Sequence, residues 1–131
     1  MAGERVLVVD DNAQNLKLAQ VTLAIEGYVT HTAADAEEAL RALESFRPRL
    51  ILMDLQLPGM DGLELTRQLK QNPATRSITI IALTANAMKG DDLEALAAGC
   101  DGYMSKPIDI EALAKMVAEY IARAAVLEGQ R

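Results

Sequence analysis

The sequence has almost no cysteine, histidine or large aromatic residues, and each scarcity excludes a class of protein. A single cysteine, Cys100, cannot form a disulfide within the chain, which favours a cytoplasmic protein. One histidine, His31, excludes a metal site built from several histidines of one chain. Because there is no tryptophan and only one phenylalanine in 131 residues, the hydrophobic core must consist of aliphatic side chains.

Positive charge and long apolar runs are also scarce. Thirteen lysines and arginines face 19 acidic residues, which gives a net charge of −6. This balance disfavours nucleic acid or an anionic membrane as the main partner, since both select a basic surface. No apolar run approaches the ~20 residues of a membrane span. Residues 1–11 place charges after a short apolar run and show no cleavage site, so no signal peptide is predicted.

The chain does have a regular alternation of short apolar runs with stretches of helical spacing. Five runs are predicted to be strands: RVLVV, YVTHT, RLILM, ITIIAL and GYMS. Each is followed by a predicted helix, which gives five β/α units. This pattern predicts an α/β fold of three layers, a parallel doubly wound sheet with helices on both faces. We expect one domain over residues 1–127 and a short polar tail over residues 128–131.

Polar residues follow four of the five predicted strands. Asp10 and Asp11 follow the first strand, Asp54 the third, Thr84 the fourth and Lys106 the fifth. In a doubly wound sheet, ligands bind outside the carboxyl ends of the strands, where the strand order reverses. If the first and third strands are neighbours, the three carboxylates converge at that place.

Three converging carboxylates require a cation or a proton. Two carboxylates about 5 Å apart repel by roughly 3 kcal/mol at an effective dielectric constant of 20. Oxygen ligands suit Mg²⁺, which also binds phosphate oxygens. Each residue has an ordinary explanation when taken alone: Asp10, Asp11 or Asn12 as a helix cap, Thr84 as a turn residue, Lys106 as a solvated charge. Their joint occurrence at the ends of different strands favours a binding site.

Four segments in this order carry a resemblance to a known family: VVDDN, LILMDLQLPGMDG, IIALTANAM and YMSKPI. From about Arg5 to Tyr120, the sequence resembles the receiver domain of bacterial two-component response regulators, the CheY-like superfamily. The sequence of these segments is most similar to single-domain receivers of the DivK type and to the receivers of hybrid histidine kinases. The resemblance implies a flavodoxin-like (CheY-like) fold with five helices and a five-stranded sheet of order 2-1-3-4-5.

The resemblance also implies a role for each polar residue. Asp54 matches the aspartate that accepts a phosphoryl group from a phosphohistidine. Asp11 and Asp54 match direct Mg²⁺ ligands, together with the backbone carbonyl of Gln56, and Asp10 matches a residue that holds the metal mainly through water. Lys106 matches the lysine that pairs with a phosphoryl oxygen.

Further positions match other features of the family. Thr84 matches the switch hydroxyl that binds the phosphoryl group, and Tyr103 matches the aromatic switch residue. Tyr103 fits equally well as an aromatic residue that packs on an edge strand. The family holds the bond between Lys106 and Pro107 in the cis form, and Gln56 and Asn86 match positions that flank the phosphoryl group.

The implied function is Mg²⁺-dependent phosphorylation at Asp54, which controls protein–protein interaction. The donor would be a histidine kinase or a histidine phosphotransfer protein. The downstream target would bind the face formed by the fourth helix, fifth strand and fifth helix. The protein would be a signalling phosphoacceptor and not a turnover enzyme, would have no DNA-binding output domain, and would be a monomer or a phosphorylation-dependent dimer.

Three other interpretations remain open at this point. A phosphatase of the haloacid dehalogenase group would need a second aspartate two residues after its nucleophile, where Gln56 stands. A flavodoxin-like cofactor protein would need a phosphate-binding loop after the first strand, where the segment DDNAQN carries acids. A receiver taken from a larger hybrid kinase would share the features above.

Overall fold

The computed structural model describes residues 3–85 and 90–129, with side chains described except at residues 91, 92 and 125–129. The prediction for Asn86 therefore concerns a position outside the described residues. Strands and helices alternate along the chain in the order β1 (Arg5–Val9), α1 (Ala13–Ile25), β2 (Val29–Ala33), α2 (Ala36–Ser45), β3 (Leu50–Asp54), α3 (Gly62–Gln71), β4 (Thr79–Thr84), α4 (Asp91–Ala98), β5 (Gly102–Ser105) and α5 (Ile110–Gly129). Helix α5 thus includes two residues that the sequence assigned to the polar tail.

The five strands form one parallel sheet in the order β2-β1-β3-β4-β5, as predicted. Strand β1 pairs with β2 on one side and with β3 on the other. The chain therefore reverses its direction of travel across the sheet between β1 and β3. This is the switch point at which open α/β sheets bind ligands.

Alternate residues of the central strands point into two separate aliphatic clusters. Leu7 of β1 packs in one cluster with Leu65 of α3, and Val8 packs in the other with Leu23 of α1 and Leu113 of α5. All five of these side chains are fully buried. The sheet is consequently covered on both faces, which confirms the predicted three layers and explains the uninterrupted apolar runs.

Strands β2 and β5 form the two edges of the sheet. The exposure of β2 alternates along Thr30, His31 and Thr32. Strand β5 is only four residues long, and Lys106 and Pro107 follow it directly. Both edges are thus short and partly polar. In the part of the chain that the structure describes, no helix is long and apolar enough to cross a membrane.

A lysine connects the segments that precede β4 and β5, at the end of the sheet opposite the predicted site. The ammonium of Lys70 on α3 donates to the carbonyl of Ile78 at 2.7 Å and lies 3.1 Å from Oδ2 of Asp101. The same Asp101 oxygen accepts a hydrogen bond from the amide of Ile80 at 2.8 Å. These bonds hold together the segments that enter β4 and β5, so they contribute to stability far from the polar residues at the carboxyl edge.

Candidate functional site

Three carboxylates converge at the switch point of the sheet. Strand register brings them there, because Val9 of β1 lies opposite Met53 of β3, and Asp10 and Asp54 are the next residues of each chain segment. Carboxylate oxygens of Asp10, Asp11 and Asp54 lie within 4.8 Å of one another. Asp10 and Asp54 are 0% and 2% exposed, whereas Asp11 faces solvent. The predicted convergence is confirmed.

Backbone amides orient the two buried carboxylates. Oδ1 of Asp10 accepts a hydrogen bond from the amide of Asn12 at 2.9 Å, and Oδ1 of Asp54 accepts one from the amide of Gln56 at 3.0 Å. Both are turns in which an aspartate bonds to the backbone two residues further on. One oxygen of each carboxylate is therefore held by its own loop, and the other is left for the centre of the site.

Asn12, and neither aspartate, caps helix α1. Its Oδ1 accepts hydrogen bonds from the amides of Gln14 and Asn15 at 2.9 and 3.0 Å. The explanation of Asp10 or Asp11 as an ordinary helix cap does not hold. Helix capping therefore does not account for the two adjacent acids at the end of β1.

Lys106 is the cation that the acidic cluster already contains. Its Nζ lies 3.1 Å from Oδ2 of Asp54 and 3.3 Å from Oδ2 of Asp10. Its side chain is 22% exposed, so it is not a solvated surface charge. The amide of Lys106 donates to the carbonyl of Thr84 at 2.7 Å, which places the lysine beside the end of β4. The peptide bond between Lys106 and Pro107 is cis.

Burial and neighbouring charges shift the pKa values of this group. Burial raises the pKa of Asp54, and the charge of Asp10 adds to this rise, while the amide of Gln56 and the ammonium of Lys106 oppose it. Burial alone lowers the pKa of Lys106, but Asp54 and Asp10 outweigh it and hold that pKa above its ordinary value. The single positive charge of Lys106 does not fully offset the negative charges of the two buried carboxylates. A further cation would therefore be attracted to the cluster.

The chemistry of the donors fits Mg²⁺. Among the described residues, three buried side-chain oxygens lack a hydrogen-bond partner, and two of them, Oδ2 of Asp54 and Oγ1 of Thr84, belong to this site. The contact of Asp54 with Lys106 is thus an ion pair without an aligned hydrogen bond. Buried oxygens without partners are uncommon and costly. An oxygen-only cluster of this kind suits a hard divalent cation and a phosphoryl group.

Two predicted site residues lie at the margin of this cluster. Tyr103 lies opposite Ala82 in the pairing of β5 with β4, and the residue is 39% exposed. Gln56 is also exposed, while its backbone amide donates a hydrogen bond to Oδ1 of Asp54. The structure thus brings together the carboxylates and Lys106, bonds the backbone carbonyl of Thr84 to the amide of Lys106, and leaves Tyr103 on the outer strand.

Two residues that the sequence did not reveal also build the site. The side chain of Asn15 donates a hydrogen bond from Nδ2 to Oδ2 of Asp10 at 3.3 Å. Gly62, the first residue of α3, packs directly on the end of β3 and donates its amide to the carbonyl of Leu55 at 3.1 Å. The only sequence signal is the position of each residue, since Asn15 lies one helical turn after the acids and Gly62 follows the cap residue Asp61.

We expect Gly62→Ala to destabilise the protein by about 3 kcal/mol, because the added methyl group overpacks the end of β3. A Cβ at Gly62 would overlap the backbone carbonyl of Asp54 and lie 2.8 Å from Cα of Leu55. Urea denaturation measures the decrease in the free energy of unfolding. Gly59→Ala is the control, because its Cβ would meet no atom within 4 Å and its cost comes only from a φ of +74°. Equal losses in the two variants would contradict the packing argument.

Comparison with known proteins identifies the family. The sequence pattern of the response regulator receiver domain matches residues 6–118. The chain belongs to this family. It is 41% identical over 119 residues to the polar-differentiation response regulator DivK of Brucella anthropi, and the match covers 91% of this chain and 97% of that relative. The predicted family and its function as a two-component receiver domain are confirmed.

Solved receiver domains share the fold. The receiver domain of the sensor histidine kinase PA1611 from Pseudomonas aeruginosa, which has a magnesium ion coordinated in its active site cleft, is 37% identical with a TM-score of 0.84. That match covers 92% of this chain and 99% of the other. The chemotaxis response regulator CheY4 of Vibrio cholerae is 30% identical with a TM-score of 0.84, over 90% and 98% of the two chains. Receiver domains use Mg²⁺ at an acidic pocket, and the three aspartates form such a pocket here.

Proposed function

We propose that this receiver domain accepts a phosphoryl group on Asp54 in a Mg²⁺-dependent reaction. One observation carries the proposal: Oδ2 of Asp54 is buried, accepts no hydrogen bond, and lies 3.1 Å from Lys106 inside the acidic cluster. A carboxylate oxygen that is desolvated but not hydrogen-bonded keeps its lone pairs for a reaction. Asp10 and Asp11 carry the negative charge that attracts the required cation.

The residues that would hold Mg²⁺ are Asp11, Asp54 and the backbone carbonyl of Gln56, with Asp10 acting mainly through water. Bound there, the ion would neutralise charge on the transferred phosphoryl group. It would also offset the repulsion among the carboxylates, which the single ammonium of Lys106 does not fully balance.

The side chains of the protein supply the remaining functions. Oδ2 of Asp54 attacks the phosphorus atom of a phosphohistidine, the P–N bond breaks, and the imidazole leaves with its electron pair. The new O–P bond makes an acyl phosphate on Asp54. An ionised carboxylate needs no general base, so the reaction depends on positioning and charge neutralisation. Lys106 then pairs with a phosphoryl oxygen, and the hydroxyl of Thr84, which has no partner in this structure, donates to another.

The proposal includes the direction of signalling. A histidine kinase or a histidine phosphotransfer protein supplies the phosphoryl group, and phosphorylation shifts an equilibrium between two conformations of the domain. The output face is formed by α4, β5 and α5, whose described side chains include four exposed large apolar residues: Leu93, Leu96, Tyr103 and Ile110. Tyr103 is the switch residue coupled to Thr84, and phosphorylation-dependent dimers would use the same face.

Two other functions are disfavoured by the site. A phosphatase would need an acid or base two residues after Asp54, and the exposed amide side chain of Gln56 cannot transfer a proton in that role. A flavodoxin-like protein would place the phosphate of its cofactor after β1, where Asp10 and Asp11 would repel it. We therefore assign a signalling role without turnover of small substrates, in the cytoplasm that the single cysteine favours.

The proposal is tested by incubating the protein with acetyl phosphate and measuring its intact mass. With Mg²⁺ we expect one phosphoryl group per chain, and with EDTA we expect none. Asp11→Ala should require a much higher Mg²⁺ concentration for the same yield, because it removes a direct ligand. Absence of an adduct at any Mg²⁺ concentration, from this donor and from a phosphorylated histidine phosphotransfer protein, would contradict the proposal.

A further inference from the structure

Asn15 lies in the first turn of α1. It is the third residue after the cap residue Asn12. In a capping box, the side chain at this position bonds back to the backbone amide of the cap residue. Here that amide is already bound to Oδ1 of Asp10 at 2.9 Å. The side chain of Asn15 consequently does not accept a hydrogen bond from the cap residue, and its Nδ2 can donate to an acceptor elsewhere.

That acceptor is the buried carboxylate of Asp10. Nδ2 of Asn15 lies 3.3 Å from Oδ2 of Asp10, and the backbone amide of Asn15 donates to Oδ1 of Asn12 at 3.0 Å. The three residues form a closed ring of hydrogen bonds, since Asp10 accepts from both asparagines and Asn12 accepts from Asn15. The first turn of α1 is therefore attached to the carboxylate at the centre of the site.

The acceptor oxygen is shared with the lysine of the site. Oδ2 of Asp10 lies 3.3 Å from Nζ of Lys106, the same ammonium that pairs with Asp54. In the proposed reaction Lys106 turns toward the phosphoryl group and leaves Asp10, whose side chain is fully buried. A buried carboxylate that loses its cationic partner is strongly destabilising. Asn15 keeps a donor on that oxygen, and an amide adds no positive charge that would repel Mg²⁺.

We propose that Asn15 is a positioning residue of the phosphoacceptor site, which holds Oδ2 of Asp10 in place when Lys106 moves and Mg²⁺ binds. The inference rests on the proposed function, because it assigns Asn15 a part in the same Mg²⁺ site. It acts through Asp10 and has no direct contact with the transferred group. Its effect must therefore disappear when the carboxylate of Asp10 is removed.

A double-mutant cycle in Mg²⁺ affinity tests this dependence. Isothermal titration calorimetry of metal-free protein compares the wild type, Asn15→Leu, Asp10→Asn and the double variant. Leucine has a similar size but no donor. We expect Asn15→Leu to weaken Mg²⁺ binding about tenfold, because a hydrogen bond to a charged group is lost. In the Asp10→Asn background, the same change should alter the affinity less than about twofold.

Gln14→Leu is the matched control. Gln14 lies in the same helical turn, its side chain is exposed, and the chemical change is of the same kind. We expect its Mg²⁺ affinity to equal that of the wild type. If Asn15→Leu does not fold, Asn15→Ala replaces it, because alanine keeps the helix propensity of α1.

The outcomes separate the two proposals. If the wild type binds Mg²⁺ and becomes phosphorylated, but Asn15→Leu binds Mg²⁺ equally well, only the role of Asn15 is wrong. An equal loss in both backgrounds would also overturn it, because Asn15 would then act through the helix and not through Asp10. A wild type that binds no Mg²⁺ would overturn the proposed function and this inference together.

Discussion

Asp54→Asn is expected to abolish phosphorylation by acetyl phosphate completely while leaving the fold intact. The amide nitrogen or oxygen of asparagine is too weak a nucleophile to form the acyl phosphate, and the side chain keeps its shape. Intact mass measures the adduct. Asp35→Asn is the matched control, because Asp35 caps α2 and asparagine caps a helix equally well. A phosphoryl adduct that survives in Asp54→Asn would show that another residue accepts the group.

The same variant has a second expected effect, which depends on pH. Burial and the charge of Asp10 raise the pKa of Asp54 in the folded protein. The folded state therefore binds the proton more tightly than the unfolded state does, so the stability contributed by this group is lost as the pH rises from about 4 through the raised pKa. Without Mg²⁺, Asp54→Asn should be more stable than the wild type at neutral pH.

Urea denaturation between acidic and neutral pH measures this effect. The difference in unfolding free energy between Asp54→Asn and the wild type should disappear below about pH 4, where both side chains are uncharged. Added Mg²⁺ should also narrow the difference, because it stabilises the ionised wild-type site. A variant that is less stable than the wild type at neutral pH would mean that Lys106 compensates Asp54 more strongly than burial opposes it.

Lys106→Met is expected to destabilise the metal-free protein by about 2–3 kcal/mol and to slow phosphorylation. The substitution removes the ammonium that lies between Asp10 and Asp54 and leaves two buried carboxylates uncompensated. Breaking a fully buried pair costs more, and the 22% exposure of Lys106 reduces the cost. Mg²⁺ should stabilise this variant more than it stabilises the wild type, because the ion replaces the missing charge and no longer competes with the lysine.

Lys70→Met is a closely matched control for this prediction. The Lys70 side chain is 20% exposed, similar to that of Lys106, and it also pairs with an aspartate, but at the opposite end of the sheet. Unfolding free energies with and without Mg²⁺ provide the comparison. Lys70→Met should be less stable than the wild type. Mg²⁺ should stabilise this variant only as much as it stabilises the wild type. Equal gains in Lys106→Met and Lys70→Met would contradict the role of Lys106 as the resident counter-ion.

The strands of the sheet and the sheet edge that carries the polar residues were predictable from local patterns. Uninterrupted apolar runs such as Leu50–Met53 indicate strands that are buried on both faces, and all four of these residues are fully buried. Polar residues placed at strand ends then define the site, because parallel strands bring their carboxyl ends to one edge. The order of the strands came from the resemblance, since alternation alone does not distinguish one order from another.

The contributions of Asn15 and Gly62 were not predictable because they depend on contacts between elements. The sequence does not show that the amide of Asn12 is already bound, which is what frees the side chain of Asn15. Nor does it show that α3 approaches β3 too closely for a side chain at Gly62. The pairing of Lys106 with Asp10 was missed for the same reason. The roles of Thr84 and Tyr103 in switching stay predictions.

The edges of the sheet restrict how this domain can associate with other proteins. An exposed strand edge is a template on which another chain can add a strand, in signalling complexes as well as in aggregates. Strand β5 offers only four residues for such pairing, and Pro107 soon after it has no amide hydrogen to donate. Contacts at this side of the molecule therefore form through the side chains of α4, β5 and α5 and not through an added strand, so a partner can be exchanged by surface substitutions without altering the backbone of the sheet.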